Sequence, residues 1–340
     1  MASETTTGSD PITAAGDRGW LAAAAADPDF WSMRLDPADL AGCVPPDTPD
    51  SYRAPPSSVV PAPSGAAMQA ILDRLERGPG FVVLRGFPVA DALPDELDRR
   101  FWGFCRSLGA PLPQTRDGDR LVRVAHDPET AARQIGRWYG SRERLTFHTD
   151  RCDVLVLLVV RAAAAGGVTR IASSAAIVAE LARERPDLLA LLMQDFCWRV
   201  PERPVAGAPP FFRQPVVTFA EGRLSCCYNR FQIEAGHRYP GAGALTPQQA
   251  EALDRFEALA ESERFAFSVR LEPGDVQLVN NHVVLHARTA YADGGDADAR
   301  RELLRAWLSV AGSRPLAPER AATFGDCRPG RVRGFYPAAA

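Results

Sequence analysis

The feature that most constrains this chain is the triplet His148-Thr149-Asp150, taken together with a second histidine, His286, far downstream. In a β-strand, residues i and i+2 point to the same face, so the imidazole of His148 and the carboxylate of Asp150 can converge on one point. His286 can add a third ligand from another strand. Two histidines and one carboxylate on one face of a metal ion leave the opposite positions open, as in non-haem Fe(II) centres. The pattern therefore predicts a strand-built metal site of an iron oxygenase.

The triplet alone is a weak signal in a chain of 340 residues with 42 acidic side chains. A lone histidine is more often a structural residue than a metal ligand. His282 lies four residues before His286, and we expect a structural role for it rather than metal binding. Asn281, beside it, either hydrogen-bonds near the metal or ends a strand.

Segments typical of β-strands outnumber those typical of helices. Strands are predicted at 80–87, 154–160, 168–171, 195–200, 214–219, 223–229, 265–271, 276–280, 283–290 and 303–310. Helices are predicted at 91–108, about 175–193 and 246–261. The last begins with Thr246, Pro247 and Gln249, which together form a capping box with proline at the first helical position. Because strands and helices do not alternate regularly, the pattern favours a mainly β fold with helices, a double-sheet jelly roll.

The domain organisation is simple. Residues 1–17 are small and polar and are predicted to be flexible. The sequence has neither an internal repeat nor a second core with its own linker. It therefore predicts a single domain over 18–340, with its core at about 70–310.

Charge and composition argue against nucleic-acid and membrane partners. The net charge is −3, so no basic surface is expected for nucleic acid or anionic lipid. The longest apolar run, 154–160, is far short of a membrane span, and the N-terminus lacks the pattern of a signal peptide. Seven cysteines without a Cys-x-x-Cys pair predict reduced thiols and a cytoplasmic protein.

Two arginines follow the distal histidine. Arg301 and Arg305 share a strand face with Leu303 and Trp307 if this segment is extended. Buried arginines need anionic partners, and a guanidinium binds a carboxylate through two parallel hydrogen bonds. The alternative interpretation is that both side chains extend to solvent or pair with surface acids.

In combination, these segments resemble the taurine dioxygenase (TauD/TfdA) and clavaminate synthase-like family. The stretches that carry the resemblance are His148-Thr149-Asp150, Gly274 to Asn281, Leu285-His286-Ala287-Arg288-Thr289, the Arg301/Arg305 pair, 80–87 and 108–114. The likeness covers roughly residues 70–310. No single piece is specific, but their ordered combination is.

The resemblance implies a double-stranded β-helix (jelly roll) that holds Fe(II) and 2-oxoglutarate and uses O2. It implies that His148, Asp150 and His286 are the catalytic iron ligands. It further implies that Arg301, fifteen residues past His286, and Thr169, just after a Gly-Gly turn, bind the distal carboxylate of 2-oxoglutarate.

For the substrate, the resemblance places Arg305 where relatives bind an acidic group. Asn229, where the strand predicted at 223–229 meets a predicted loop, and Arg137, just upstream of His148, are further candidates, because loops often carry specificity. The expected partner is therefore a small molecule that carries a carboxylate or a sulfonate. The sequence gives no indication of the oligomeric state.

The implied reaction is oxidation, by default hydroxylation, of an unactivated C–H bond with release of succinate and CO2. Desaturation or cyclisation would use the same centre, whereas the intact Asp150 disfavours halogenation, which needs its position for a halide. A zinc-dependent hydrolase with the same ligands is an alternative that Arg301 and Thr169 argue against. A non-catalytic jelly-roll binding protein is another, which the intact triad argues against.

Overall fold

The computed structural model describes residues 19–41, 43, 58–90, 92–115, 117–126, 140–200, 210–294 and 299–334. The segment 1–17, predicted to be flexible, lies outside these ranges. Within them, no helix is both long and apolar enough to cross a membrane.

The strands of the described residues are numbered in chain order. They are β1 (Ser32–Arg34), β2 (Phe81–Arg85), β3 (Ala110–Pro111), β4 (Leu121–Ala125), β5 (Leu145–His148), β6 (Val154–Arg161), β7 (Ala165–Gly166), β8 (Thr169–Ser173), β9 (Phe196–Arg199), β10 (Phe211–Gln214), β11 (Val217–Ala220), β12 (Arg223–Cys226), β13 (Ala266–Val269), β14 (Val276–Asn280), β15 (Val284–Arg288), β16 (Tyr291–Ala292) and β17 (Glu302–Ser309).

Two sheets build the body of the protein. The larger has the order β1-β2-β14-β6-β17-β3, with β4 also paired to β17, and the smaller has the order β13-β8-β15-β5. Only β1 and β2 run parallel among the described pairs; β6 lies between β14 and β17 in antiparallel register. Both faces of β6 are buried, which explains its uninterrupted apolar sequence.

Helices cover the outer faces of the sheets. The α-helices are Pro37–Ala41, Ala66–Arg77, Pro94–Leu108, Ser174–Glu184, Pro186–Leu192, Arg230–Gly236, Pro247–Glu261 and Ala321–Phe324, and the 3-10 helices are Ala22–Ala26, Pro28–Phe30 and Pro318–Arg320. The predicted capping box of the helix Pro247–Glu261 is confirmed, with both of its reciprocal hydrogen bonds present.

The core is layered. Helices 66–77 and 94–108 pack on the outer face of the larger sheet, and helices 174–184, 186–192 and 247–261 pack on the outer face of the smaller one. A third cluster lies between the sheets and includes Leu155, Ile171 and Val284. Phe147 and Leu285 pack on the helix side of the smaller sheet. Because side chains alternate along a strand, the residues next to them face the space between the sheets.

Strand β17 has the alternation predicted for it. Leu303 and Trp307 belong to the cluster between the sheets, whereas Leu304 and Ala306 pack under the helices of the larger sheet. Arg305 therefore points into the interior rather than to solvent.

Two local predictions were wrong. The strand predicted at 214–219 is two strands, β10 and β11, because Pro215 has no N–H for a ladder and its carbonyl accepts a hydrogen bond from Arg320. The region after 228, predicted to be a loop, contains the helix Arg230–Gly236. Asn229 caps that helix by accepting a hydrogen bond from the backbone N–H of Gln232.

Candidate metal centre

The two histidines of the predicted triad lie directly opposite each other on neighbouring strands. His148 ends β5, and its register partner on β15 is His286. Their ring centroids are 4.3 Å apart, with the planes inclined at 51°. Antiparallel pairing therefore brings together two residues that are far apart in the sequence.

Asp150 lies just beyond the end of β5, and a hydrogen bond from its own backbone N–H holds it there. Its N–H donates to Oδ1 of Asn281 at 2.9 Å. The preceding Thr149 exchanges hydrogen bonds with Tyr228: the Thr149 N–H donates to the Tyr228 carbonyl at 2.8 Å, and the Tyr228 N–H donates to Thr149 Oγ1 at 3.0 Å. Of the two roles considered for Asn281, a hydrogen bond to a residue of the predicted triad is the one found.

The donor atoms of the three residues converge. One ligand atom from each of His148, Asp150 and His286 lies within 4.8 Å of the others. Oδ2 of Asp150 is 3.8 Å from Nε2 of His286, which is too far for a hydrogen bond. The spacing leaves room for an ion between them.

The protonation states also suit a metal. Nδ1 of His148 is hydrogen-bonded to the carbonyl of Thr146 at 2.8 Å, which leaves Nε2 with its lone pair for a ligand. Burial, and then the neighbouring His148, lower the pKa of His286 to about 3, so its imidazole is neutral. A neutral imidazole is the form that binds metal.

The residues present therefore fit Fe(II). Two imidazoles and one carboxylate on one side are the donor set of non-haem Fe(II) oxygenases.

A pocket that the triad itself does not line contains Thr169 and Arg301, with Gly166, Gly167, Arg270 and Leu303 among its other lining residues. Thr169 is two residues before Ile171, which is the register partner of His286. The side chains of Thr169 and His286 therefore point to the same face of the smaller sheet. Arg301 is buried, and burial lowers its pKa without making it neutral at ordinary pH.

Arg301 and Arg288 both contact the ring of Tyr291. The guanidinium carbons of Arg301 and Arg288 lie 5.0 Å and 4.6 Å from the ring centroid of Tyr291. An added Cβ at Gly167 would lie 3.6 Å from Nε of Arg301. At the preceding Gly166, whose φ is +70°, an added Cβ would meet the carbonyl oxygen of Ala290 at 2.1 Å. Only glycine fits at that turn.

Arg305 lies on β17, which begins just after Arg301. Its Nε donates to Oε1 of Gln114 at 2.7 Å, and Nε2 of Gln114 donates back to the Arg305 carbonyl at 3.0 Å. Its guanidinium carbon is 5.3 Å from the ring centroid of Trp307. Its charge contributes to lowering the pKa of His286, after burial and His148.

The other two substrate candidates differ in outcome. Asn229 is adjacent to the triad, because its backbone forms a bridge with His148, but its side-chain oxygen caps the helix Arg230–Gly236. Arg137 lies outside the described residues.

Sequence reasoning missed several residues that support the site. Gln114 and Trp307 contact Arg305, and no local motif marks either of them, although Trp307 shares the strand face of Arg305. A buried polar cluster is formed by Asp153, His282 and Arg333.

In this cluster Oδ1 of Asp153 is 2.8 Å from both His282 Nε2 and Arg333 Nε. Burial would raise the pKa of Asp153, but Arg333 and His282 together lower it. Burial lowers the pKa of His282 to about 4. The structural role expected for His282 is what the geometry shows.

A comparison with protein families gives one match. The model described as "Taurine catabolism dioxygenase TauD, TfdA family" matches residues 53–307. Among curated proteins, FR-33289 synthase of Streptomyces rubellomurinus is 33% identical over 260 residues, which cover 74% of this chain and 75% of that protein. The taurine hydroxylase-like protein SAT17 of Stachybotrys chartarum is 29% identical over 251 residues, covering 71% of this chain and 64% of that protein.

Solved structures show the same fold. Asparagine oxygenase, in complex with Fe(II), 2S,3S-3-hydroxyasparagine and succinate, superimposes with a TM-score of 0.59 at 19% identity, covering 82% of this chain and 93% of that one. The non-heme iron oxygenase OrfP, in complex with Fe and alpha-ketoglutaric acid, has a TM-score of 0.56 at 16% identity, covering 82% and 93%. The predicted fold class, a jelly roll with helices, is confirmed.

Proposed function

Because the chain belongs to the taurine catabolism dioxygenase TauD, TfdA family, it is a 2-oxoglutarate-dependent non-haem iron oxygenase, and we propose that His148, Asp150 and His286 bind its iron. The observation that carries this assignment is the convergence of their donor atoms within 4.8 Å of one another. Family membership argues against the zinc hydrolase and the non-catalytic binding protein.

Arg301 and Thr169 are the proposed binding residues for the distal carboxylate of 2-oxoglutarate. Both line one pocket, and Arg301 is a buried cation there, as a site for an anionic ligand requires. The Thr169 hydroxyl adds a hydrogen-bond donor. When bound, Fe(II) and 2-oxoglutarate supply the oxidation of a substrate C–H bond by O2, with release of succinate and CO2.

Arg305 is the proposed residue for an acidic group of the substrate. It is buried, and its Nε donates a hydrogen bond to Gln114, which holds the guanidinium in place. Such a guanidinium selects a small molecule with a carboxylate or a sulfonate. Asparagine oxygenase and OrfP, whose structures hold 3-hydroxyasparagine and (3S)-hydroxy-L-Arg, are consistent with a hydroxylated amino-acid-like product.

The organisation of the chain completes the proposal. Residues 18–340 are proposed to form one oxygenase domain. A reducing, cytoplasmic location is supported by seven free cysteines, five of which are buried.

The direct test measures succinate released from 2-oxoglutarate with Fe(II) and O2, over a panel of amino acids and sulfonates. At least one compound should stimulate release and be recovered with one added oxygen; recovery of an unsaturated or cyclised product would instead establish those outcomes. His148→Ala and His286→Ala should lose metal binding and turnover. His237→Ala is the matched control, because His237 contacts Cys197 and Gly243 rather than the triad. Full turnover in the first two variants would contradict the assignment.

A further inference from the structure

Trp307 contacts both the carboxylate of Asp150, the proposed metal ligand, and the side chain of Arg305. We propose that Trp307 is a positioning residue that holds Asp150 in its metal-binding orientation, with Arg305 strengthening that hold. The proposal rests on the proposed function of Asp150 as an iron ligand.

The first step is the contact itself. The indole N–H of Trp307 donates to Oδ2 of Asp150 at 3.1 Å. The same oxygen faces Nε2 of His286 at 3.8 Å. With the Asp150 backbone already held by Asn281, this hydrogen bond fixes the remaining freedom, the rotation of the carboxylate. Trp307 is only 6% exposed, so water competes little for its N–H.

The second step is what a fixed carboxylate does for the centre. A freely rotating carboxylate can give both oxygens to a metal, which fills a position that this chemistry needs open. An indole N–H is a donor only, and it occupies a lone pair of Oδ2. Trp307 thereby favours metal binding through a single oxygen of the carboxylate, which leaves the other coordination positions of the metal open. Partners of this kind tune the metal as well as orienting its ligands.

The third step concerns Arg305. Its guanidinium carbon lies 5.3 Å from the Trp307 ring centroid, where a cation is attracted to the ring face and draws electron density from it. The indole N–H becomes a stronger donor. Gln114, Arg305, Trp307 and Asp150 therefore form a continuous series of contacts from the proposed substrate-binding residue to the metal ligand.

The experiment compares Co(II) binding by the metal-free full chain, Trp307→Phe and a matched control, Trp31→Phe. Trp31 is also 6% exposed, its N–H donates to the carbonyl of Ala25 at 3.0 Å, and the Arg85 guanidinium lies 5.7 Å from its ring centroid. It has the features of Trp307 without the metal-site carboxylate. We expect Trp307→Phe to weaken Co(II) binding by about 10- to 100-fold and to change the visible Co(II) spectrum. Trp31→Phe should leave both as in the wild type.

The outcomes are separable. If wild-type protein does not bind Co(II), the proposed function fails. If it binds Co(II) and Trp307→Phe matches Trp31→Phe in affinity and spectrum, the positioning role fails and the function stands.

A second measurement does not depend on how well Trp307→Phe folds. In wild-type protein labelled with 15N-tryptophan, the indole signal of Trp307, assigned through phenylalanine variants of the other tryptophans, should shift on addition of Zn(II). In Arg305→Gln its proton should move upfield, as for a weaker hydrogen bond. An indole signal of Trp307 that does not shift on addition of Zn(II) would overturn the proposal.

Discussion

Replacing Arg333 by leucine should destabilise the protein strongly, although Arg333 lies outside the region that matches the family. Its Nε donates to Asp153 at 2.8 Å, and both side chains are at most 1% exposed. Its Nη2 donates to the carbonyl of Arg314 at 2.8 Å. Removing one partner of a buried ion pair costs about 3–5 kcal/mol, because the other charge stays buried and uncompensated.

The expected shift in Tm follows from the length of the chain. With an unfolding entropy of about 2.1 cal/mol/K per residue, 340 residues give roughly 0.7 kcal/mol/K. A loss of about 3–5 kcal/mol then lowers Tm by about 4–7 °C. Calorimetry gives this shift, and urea unfolding gives the free energy of unfolding.

The loss in free energy of unfolding caused by Arg333→Leu, its stability deficit, should depend on pH in a defined direction. In the wild type the folded pKa of Asp153 is lowered, so its contribution is present above the unfolded pKa and is lost as pH falls through the folded pKa. Without Arg333, the Asp153–His282 pair takes up a proton at a higher pH, which removes the uncompensated charge. The deficit of Arg333→Leu should therefore shrink as pH falls, by at most about 1.4 kcal/mol per pH unit for one proton.

Arg328→Leu is the control. Arg328 lies in the same segment and pairs with Asp326 at 2.6 Å, but it is largely exposed, so its loss should leave stability unchanged. The reasoning is refuted if Arg333→Leu is as stable as Arg328→Leu. It is equally refuted if its deficit is the same at about pH 7 and about pH 5.

Three further outcomes are expected. Arg301→Gln should weaken 2-oxoglutarate binding, measured by calorimetry with Co(II), by roughly 10- to 150-fold, as for a lost charge-assisted hydrogen bond of about 1.5–3 kcal/mol. Thr169→Val should weaken it by about 10-fold or less. Equal 2-oxoglutarate affinities in the wild type and both variants would exclude both residues. Gly166→Ala should lower Tm and 2-oxoglutarate affinity together, because its Cβ would meet a backbone carbonyl; unchanged values would contradict the close approach. Thr246→Ala should cost about 1 kcal/mol in urea unfolding with no change in metal affinity, and no cost would contradict the role of the capping box.

The sequence predicts those features that have a local pattern. His148 and Asp150 are close along the chain, and the capping box at Thr246 lies within one helical turn. The interior direction of Arg305 follows from the alternation of apolar residues along β17. The capping box and the direction of Arg305 need only the period of a helix or a strand. Asp150 lies beyond the end of β5, so its position also depends on its hydrogen bond to Asn281.

The remaining features depend on contacts between distant segments. The hydrogen bond from Trp307 to Asp150 spans 157 positions, and that from Arg333 to Asp153 spans 180. No pattern near either residue indicates its partner, because the pairing arises only when the sheets assemble. The helix Arg230–Gly236 was missed for a related reason: seven residues carry little periodicity, and its stability comes from packing and from the Asn229 cap.

The central claim is that His148, Asp150 and His286 hold the iron. Anomalous diffraction at the iron edge, from crystals grown anaerobically with Fe(II) and 2-oxoglutarate, tests it most directly. The account predicts one strong peak within ligand distance of the two imidazoles and the carboxylate, with 2-oxoglutarate extending toward Arg301. A peak elsewhere, or none at this triad in crystals that contain iron, would contradict it.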